Sequence, residues 1–552
     1  MKSNWILGIG DGHDSGAALV DENGHLAFAV SEERLTRTKR QAGFPYQSVA
    51  MALEERLSRG GRLEAVAVAE RSGRAPFRLL DSWYRKTAAS RGPLGSGARF
   101  AAAWSRGVTR YAEGASERAS RRILERRLRD LGLGHVPFAL VDHHDCHAWG
   151  AAAGAEDALV VTMDAFGDGV SGGIYRFERG GTPHPRLRRC RRVPAPHGAA
   201  IVYGAITQFL GFDEGDEGKV VARAASGDPD RLRSHFEACL GLRDGLPWLS
   251  APDAIHILTG ALENEPEDDV AAALQAHTER IVLGVLSQAL RDFGGQQLRL
   301  AGGLFANVAL NREVARLATD AGVEDVFVFP AMGDSGLCAG AALAARVARG
   351  GRLSGLTDAR IGPLAWDESA PLPMRVPPLP IACDDESVRG ALVSGEVVAR
   401  CTRRMEFGPR ALGSRSLLFR AHDPSIGRVL NEHLGRDQRM PFGPVIPVEE
   451  APRLLKGWSD AVAPMTRYMT IALPASDALI RCAPAAVHAD GTTRAQVLRT
   501  SDDPVLHQML HDMPEKLLIN TSLNLHGEPI ACSLEEAARS AAGAGAALLW
   551  VG

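Results

Sequence analysis

The chain lacks long apolar runs, paired cysteines and any marked excess of one charge. No run of about 18 apolar residues occurs, so the sequence offers no membrane-spanning helix. The first residues, MKSNWILGIGDGHDSG, enter a short strand-like run at once, without the longer apolar core of a secretory leader. The eight cysteines, at 146, 190, 239, 338, 383, 401, 482 and 532, are scattered and form no CxxC pair. That spacing argues against a zinc ribbon and a disulfide framework, and it leads us to expect a reduced, cytoplasmic protein. A formal net charge of −3 gives no electrostatic reason to expect nucleic acid or an anionic membrane as partner. There is also no internal repeat of solenoid type.

What remains is an ordinary globular composition, with 45% hydrophobic and 23% charged residues, in a chain of 552 residues that exceeds one ordinary core. The basic run RRILERRLRD (121–130) reads as the solvated face of a helix. WILGIGDGHDSGAALVDENGHLAFAVSEER reads as strand, glycine-rich turn, strand, Asn-Gly turn and a third strand. A similar phrase returns at 158–181, ALVVTMDAFGDGVSGGIYRFERGG. Two such units predict a duplicated nucleotide-binding architecture. LRLAGGLFANVALN (298–311) and VFVFPAMGDSGLCAGAALAARVA (326–348) each read as strand, glycine turn and helix, turns that present backbone N–H groups to anions. A Gly- and Pro-rich stretch without periodicity then separates residues 1–350 from 381–552, and 351–380 is read as a linker.

The densest chemistry is VDHHDCHAWGAAAG, 141–154. If His143 opens a helix, His147 lies one turn along on the same face, while His144 turns away. Asp164 and Asp334 are expected at strand ends, where side chains enter the ligand crevice of an α/β sheet. Two imidazoles and two carboxylates suit Fe2+, and also Mn2+ or Zn2+, with positions left open for a substrate oxygen.

The phrases HDSGAALVDENG, EERLTRTKRQAGFP, HHDCHAWGA, DEGKVVARAASG, AGGLFANVALN, PAMGDSGLCAGAAL, RRMEFGPRALGSRSLL, HADGTTRAQV and INTSLNLHGEPI occur in this order. Together they resemble the ATP-dependent O-carbamoyltransferases of antibiotic and nodulation-factor biosynthesis. The resemblance implies an N-terminal actin/sugar-kinase-like fold of the tRNA threonylcarbamoyl-transferase type. It implies a C-terminal twisted α/β domain similar to threonylcarbamoyl-adenylate synthases. The C-terminal domain would join carbamoyl phosphate to ATP as carbamoyl-adenylate, and the N-terminal one would pass the carbamoyl group to a small-molecule hydroxyl. The metal set carries over as His143, His147, Asp164 and Asp334.

Carbamoyl phosphate is a small dianion that arginine forks grip well, which points to Arg410, Arg436 and Arg494. Asn520, Ser522 and Asn524 would bond adenylate and carbamoyl oxygens. The synthases carry a Lys-x-Arg pair where this chain reads Leu434-Gly-Arg436, a departure that bears on phosphate binding. His13 is the candidate base. Gly302, Gly303 and Asn307, with Gly167 and Gly169 opposite, would cradle the nucleotide, and Lys39 and Lys219 are candidate phosphate or acceptor contacts. Residues 91–117 and 230–270 are the expected acceptor walls. The chain ends close behind its last motif, so a terminal helix of relatives is expected to be absent. The competing readings are a metal-dependent kinase or ATPase of the sugar-kinase fold and a tRNA threonylcarbamoyl-type transferase; the neutral charge disfavours the latter. The acceptor and the oligomeric state stay open, a homodimer being compatible with the sequence.

Overall fold

Short apolar runs separated by glycine turns build two five-stranded sheets of identical order. The computed structural model describes residues 4–71, 75–87, 113–179, 184–366, 375–376, 379–382, 384–435 and 442–551. The first sheet holds β1 (Asn4–Gly10), β2 (Gly16–Val20), β3 (Leu26–Ser31), β4 (Arg62–Ala69) and β5 (Phe138–Val141), in the order β3-β2-β1-β4-β5. Strands β1 to β3 form an antiparallel meander, and β4 and β5 add in parallel. The second sheet holds β6 (Asp157–Gly167), β7 (Val170–Glu178) and β8 (Arg186–Pro194). After a separate hairpin of β9 (Leu240–Arg243) and β10 (Leu246–Leu249), it gains β11 (Gln297–Ala301) and β12 (Asp325–Val328). Its order is β8-β7-β6-β11-β12, with the same meander and the same parallel additions. This repeat is the duplicated architecture expected from the two strand–turn–strand phrases, and its sheet order agrees with the actin/sugar-kinase-like fold that the resemblance implies.

Small residues bring the functional elements together. Helix Leu337–Ala348 crosses β1 so closely that a Cβ on Gly8 would fall 1.9 Å from the Cys338 carbonyl oxygen. On its other side, a Cβ on Gly340 would fall 1.8 Å from the carbonyl of Cys146, within helix His143–Ala152. A side chain at Gly8 would push helix Leu337–Ala348 off β1, and one at Gly340 would push the two helices apart. The basic run 121–130 lies on helix Glu113–Asp130, which buries Leu124 and Leu128 and turns Arg122, Arg126 and Arg129 to solvent.

Residues 351–366 contain no helix or strand. Beyond them a mixed eight-stranded sheet runs in the order Arg375–Val376, Leu379–Ala382, Leu548–Trp550, Val398–Cys401, Arg415–Phe419, Leu518–Ser522, Gly443–Pro447, Gln496–Leu498. The surrounding segments grip the earlier part of the chain. Arg37 donates to the carbonyls of Pro529 (2.7 Å) and Ile530 (2.8 Å), Arg34 to that of Gly408 (3.0 Å), and Asn311 to that of Thr470 (2.7 Å).

One buried ion pair pins this last sheet. The Arg400 guanidinium meets both carboxylate oxygens of Asp503 at 2.7 and 3.1 Å, and stacks 4.5 Å from the ring centre of Trp550. Asp503 also caps helix Pro504–Asp512 through the N–H of Leu506 and receives Arg360 at 3.0 Å. Burial alone would raise the Asp503 pKa, but Arg400 and these donors hold it below the usual carboxylate range. Replacing Asp503 with Asn leaves a buried guanidinium without its counter-charge, a loss of about 3–5 kcal/mol. The D503N chain should therefore unfold at lower urea than the parent at pH 7. The gap should close as the pH falls from about 4 through the depressed folded value, where the parent's own carboxylate takes up a proton. Equal urea midpoints at pH 7, or a gap that widens in acid, would contradict this.

Candidate active site

Asp142 starts the His143–Ala152 helix, its side chain accepting from the N–H groups of His144 (3.0 Å) and Asp145 (3.2 Å). Arg189 of β8 braces the same turn by binding Asp142 and Asp145. The helix phase that follows sends His143 and His147 to one side, as the i, i+4 spacing requires. His144 points elsewhere. Its ring nitrogens engage the Thr162 hydroxyl at 2.9 Å and the Val170 carbonyl at 3.2 Å, and burial followed by its two histidine neighbours pushes its pKa down to about 3.

Two carboxylates meet the paired imidazoles. Asp164 Oδ2 lies 3.1 Å from His147 Nε2 and 3.9 Å from His143 Nε2; Asp334 Oδ1 lies 3.5 Å from His143 Nε2 and 3.6 Å from His147 Nε2. One ligand atom from each of the four falls within 4.8 Å of the others. The two acids are not at strand ends as expected. Asp164 sits inside β6, three residues before its end, and Asp334 opens a single 3-10 turn six residues beyond β12. The turn, not the strand, delivers Asp334, because helix Leu337–Ala348 must start immediately after it to reach β1.

The cluster is deeply buried, and its polarity is unsatisfied. Both ring nitrogens of His143 and Oδ1 of Asp334 have no hydrogen-bond partner among the described residues. Burial opposes charge on His143, yet Asp334, then Asp164 and Glu70, overcome it and raise its pKa to about 10. Burial likewise opposes charge on the acids, but the imidazoles hold Asp334 and Asp164 far below the usual carboxylate range. The cluster thus demands positive charge at its centre. A divalent cation fits that demand: ligand bonds of about 2.1 Å at tetrahedral angles place ligand atoms about 3.4 Å apart, close to the spacings here.

His13, in the β1–β2 turn, touches the same cluster, with Nε2 3.2 Å from Asp334 Oδ2 and Nδ1 2.9 Å from Asp14 Oδ2. Burial lowers its pKa, and Asp334 and Asp14 more than restore it, so the net direction is upward. Asp14 and Arg40 escaped the sequence reading. Arg40 lies 3.7 Å from Asp14 and 3.1 Å from Glu214, so it joins the TRTKR and DEGDEGK phrases to His13. The only signal was adjacency, Asp14 beside His13 and Arg40 beside Lys39. Lys39 itself is exposed, and Lys219 pairs with Asp216 at 2.8 Å.

The glycines serve the cluster directly. Gly303 N–H donates to Asp164 Oδ2 at 3.2 Å, and Gly302 takes φ 103° against the Met163 carbonyl. Gly169 completes the tight β6–β7 turn with Asp168, both at positive φ, and Asp168 accepts from the His143 N–H at 2.8 Å. The Asn307 amide caps the helix that begins at Val308 and bonds Gln275 at 2.8 Å.

The later sheet gathers a second set. Asn520 is buried on strand Leu518–Ser522 and donates to the Ala411 carbonyl (3.1 Å) and Gln496 (2.7 Å), which joins the FGPRALG and TTRAQ phrases. Ser522 ends that strand, while the Asn524 amide closes its own loop through the carbonyls of Leu525 and Glu528, each at 3.0 Å. Arg494 stands near His488, whose pKa burial and that guanidinium lower to about 4. Glu406, also unread in the sequence, orders the FGPRALGSRS loop by accepting from the N–H groups of Leu412, Ser414 and Arg415 at 2.7, 2.6 and 3.2 Å. Arg410, half-buried, with no ion pair among the described residues and with a pKa that burial lowers to about 10, leans 3.5 Å from the Ala306 carbonyl. That contact lies three residues from Gly303, so the arginine loop adjoins the turn that holds Asp164. Arg436 lies outside the described residues, as does most of the expected wall 91–117. The other wall, 230–270, packs Phe236 and Leu258 into the core beneath the second sheet.

Comparison with known proteins agrees with the motifs. The chain matches "Carbamoyltransferase N-terminus" over residues 5–343 and "Carbamoyltransferase C-terminus" over residues 390–552. It belongs to the carbamoyltransferase family, an enzyme family. It is 30% identical to a 3'-hydroxymethylcephem-O-carbamoyltransferase of Amycolatopsis lactamdurans, over 71% of this chain and 75% of that protein. It is 27% identical to nodulation protein NolNO of Sinorhizobium fredii, over 95% and 76%. Full-length HypF in its phosphate- and nucleotide-bound form matches 62% of this chain and 46% of that one at 13% identity and a TM-score of 0.38. A score this low carries no argument, and the fold assignment rests on the sheet order. No helix among the described residues is long and apolar enough to cross a membrane.

Gly167 offers a direct check of the cluster, because a Cβ there would lie 2.1 Å from Cγ of His143. Gly167→Ala must displace the imidazole or the hairpin, and overpacking of this kind costs about 1–3 kcal/mol. A lowered thermal midpoint with a shifted His143 ring signal in NMR is expected; a chain unchanged in both would contradict the packing.

Proposed function

We propose that the chain is an ATP-dependent O-carbamoyltransferase. In this reading residues 381–552 hydrolyse carbamoyl phosphate to carbamate and phosphate, and the carbamate oxygen attacks the α-phosphorus of ATP, which gives carbamoyl-adenylate and releases pyrophosphate. The end of the expected linker 351–380 belongs to the C-terminal sheet through strands Arg375–Val376 and Leu379–Ala382; residues 1–350, joined to that sheet through the stretch before Arg375, transfer the carbamoyl group to a hydroxyl of a small molecule with AMP as the leaving group. The observation that carries the reading is the unsatisfied pair His143 Nε2 and Asp334 Oδ1, flanked by His13 and adjoined by the Arg410 loop. The relatives named as cephem O-carbamoyltransferases support a small-molecule alcohol as acceptor.

His143, His147, Asp164 and Asp334 would hold the divalent cation, Fe2+ first and Mn2+ or Zn2+ next by donor type. When bound, that cation supplies Lewis-acid polarisation of the carbamoyl carbonyl. The chain's own groups do the rest. Asp14 fixes the His13 imidazole through Nδ1, and Nε2, which faces Asp334 Oδ2 at 3.2 Å, exchanges that contact for the attacking hydroxyl and takes its proton. Burial opposes charge on Asp14, but Arg40 and the bonded His13 imidazole together keep it ionised and in place. Arg410 and Arg494 receive phosphate oxygens by bidentate bonding, with Arg436 expected beside them. Asn520 and Ser522 orient the adenylate and carbamoyl oxygens, and the Gly302–Gly303 and Gly167–Gly169 turns flank the nucleotide.

Incubated with ATP, carbamoyl phosphate, Fe2+ and a panel of alcohols, the full chain should release AMP and yield a product heavier by one carbamoyl group. His13→Ala should lower kcat by about 10²–10⁴-fold. ADP with a phosphorylated acceptor would establish the kinase reading instead, and a His13→Ala enzyme of undiminished kcat would remove His13 as the base.

A further inference from the structure

A second cluster of side chains of the metal-ligating types lies apart from the His143 cluster. Helix Pro504–Asp512 carries His507 and His511, four residues apart and therefore on one face. Their rings meet edge to face with centres 4.7 Å apart. Glu449 faces them from the single turn Val448–Glu450, which follows strand Gly443–Pro447. One carboxylate oxygen, Oε2, lies 3.1 Å from Nε2 of His507 and 3.6 Å from Nε2 of His511. A ligand atom from each of the three falls within 4.8 Å of the others. The Thr500 hydroxyl flanks the His507 ring, 3.4 Å from each of its nitrogens. His507 is buried, while Glu449 and His511 open toward solvent, so the cluster has a buried anchor and an entry side.

We propose that Glu449, His507 and His511 form a second metal site, for a borderline divalent cation of the Zn2+, Ni2+ or Cu2+ type. Two imidazoles and one carboxylate on short, rigid elements provide three ligands and leave at least one position for water. The two nitrogen donors select against Mg2+ and Ca2+, which prefer all-oxygen shells. The site is structural in role. It fastens helix Pro504–Asp512 to the strand that begins at Gly443, and Gly443 pairs with Asn520 and packs against the Arg494 carbonyl. An ion here would therefore stiffen the elements that place Asn520 and Arg494. The inference does not depend on the carbamoyl-transfer reading.

The test uses the full chain carrying His147→Ala and Asp334→Ala, which silences the first cluster. Zinc is titrated against a chromogenic chelator in the presence of excess Mg2+. One Zn2+ per chain is expected. His511→Ala and Glu449→Gln, both at solvent-open positions, should each weaken it at least about tenfold, because loss of mere supporting residues around a metal already costs 10–100-fold. With Cu2+ in place of zinc, electron paramagnetic resonance should show coupling to two imidazole nitrogens, falling to one in His511→Ala. If the silenced chain does not fold, the count is made in the parent, where His511→Ala should remove one metal equivalent. Failure of the first cluster to bind metal would appear as one equivalent in the parent instead of two, and it leaves this test intact. Zinc held equally well by the His511→Ala and Glu449→Gln chains, or no zinc bound before these changes, would overturn the proposal.

Discussion

Burying an imidazole and a carboxylate face to face, with neither satisfied by a hydrogen bond, is expensive, because each unpartnered polar group forfeits its hydration. His143 Nε2 and Asp334 Oδ1 sit in that state, 3.5 Å apart and almost wholly shielded from solvent. The protein tolerates it by pooling charge, since two acids pull the pKa of His143 up to about 10 while the imidazoles drive the acids down. A cluster that needs positive charge at its centre and receives only protons is poised to exchange them for a cation. The other features of the site are arranged around this need, from His13 against the far oxygen of Asp334 to the Gly303 N–H on Asp164.

Close backbone approach makes the arrangement reachable. The four side chains come from a helix, the strand that follows it and a turn much later in the chain, and their convergence depends on Gly8, Gly340 and Gly167, where a methyl group would meet a carbonyl or the His143 ring near 2 Å. The duplicated sheet order places two glycine turns at corresponding edges, and His13 and Asp168 reach the cluster from one turn each. The C-terminal sheet then brings its arginine loop against this edge, where Arg410 approaches Ala306.

Much of this was legible in the chain's own order of residues. The strand–turn–strand phrases foretold the first meander and the first hairpin of the second, because Asn-Gly and Asp-Gly turns constrain a hairpin locally, whereas the third strand of the second meander, Arg186–Pro194, lies beyond the phrase. The i, i+4 pair foretold that His143 and His147 share a face and that His144 does not. Asp334 was read as a strand end because FVFP looks extended, whereas the strand stops at Val328 and a tight turn carries the acid. Longer-range partnerships left no trace in local pattern. Nothing in the spacing of Asp14, Arg40 and Glu214 shows that they form one chain of charge, nor that Glu406 collects three N–H groups of its own loop. Arg400, an arginine inside a short apolar strand, became intelligible only once Asp503, 103 residues later, stood opposite it.

Anomalous diffraction from crystals grown with Fe2+, recorded on both sides of the iron edge, tests the central claim most directly. A single iron peak about 2.0–2.2 Å from Nε2 of His143 and His147 and from an oxygen each of Asp164 and Asp334 is expected. A crystal in which His143 instead donates directly to Asp334, with no iron peak between the four side chains, would contradict it.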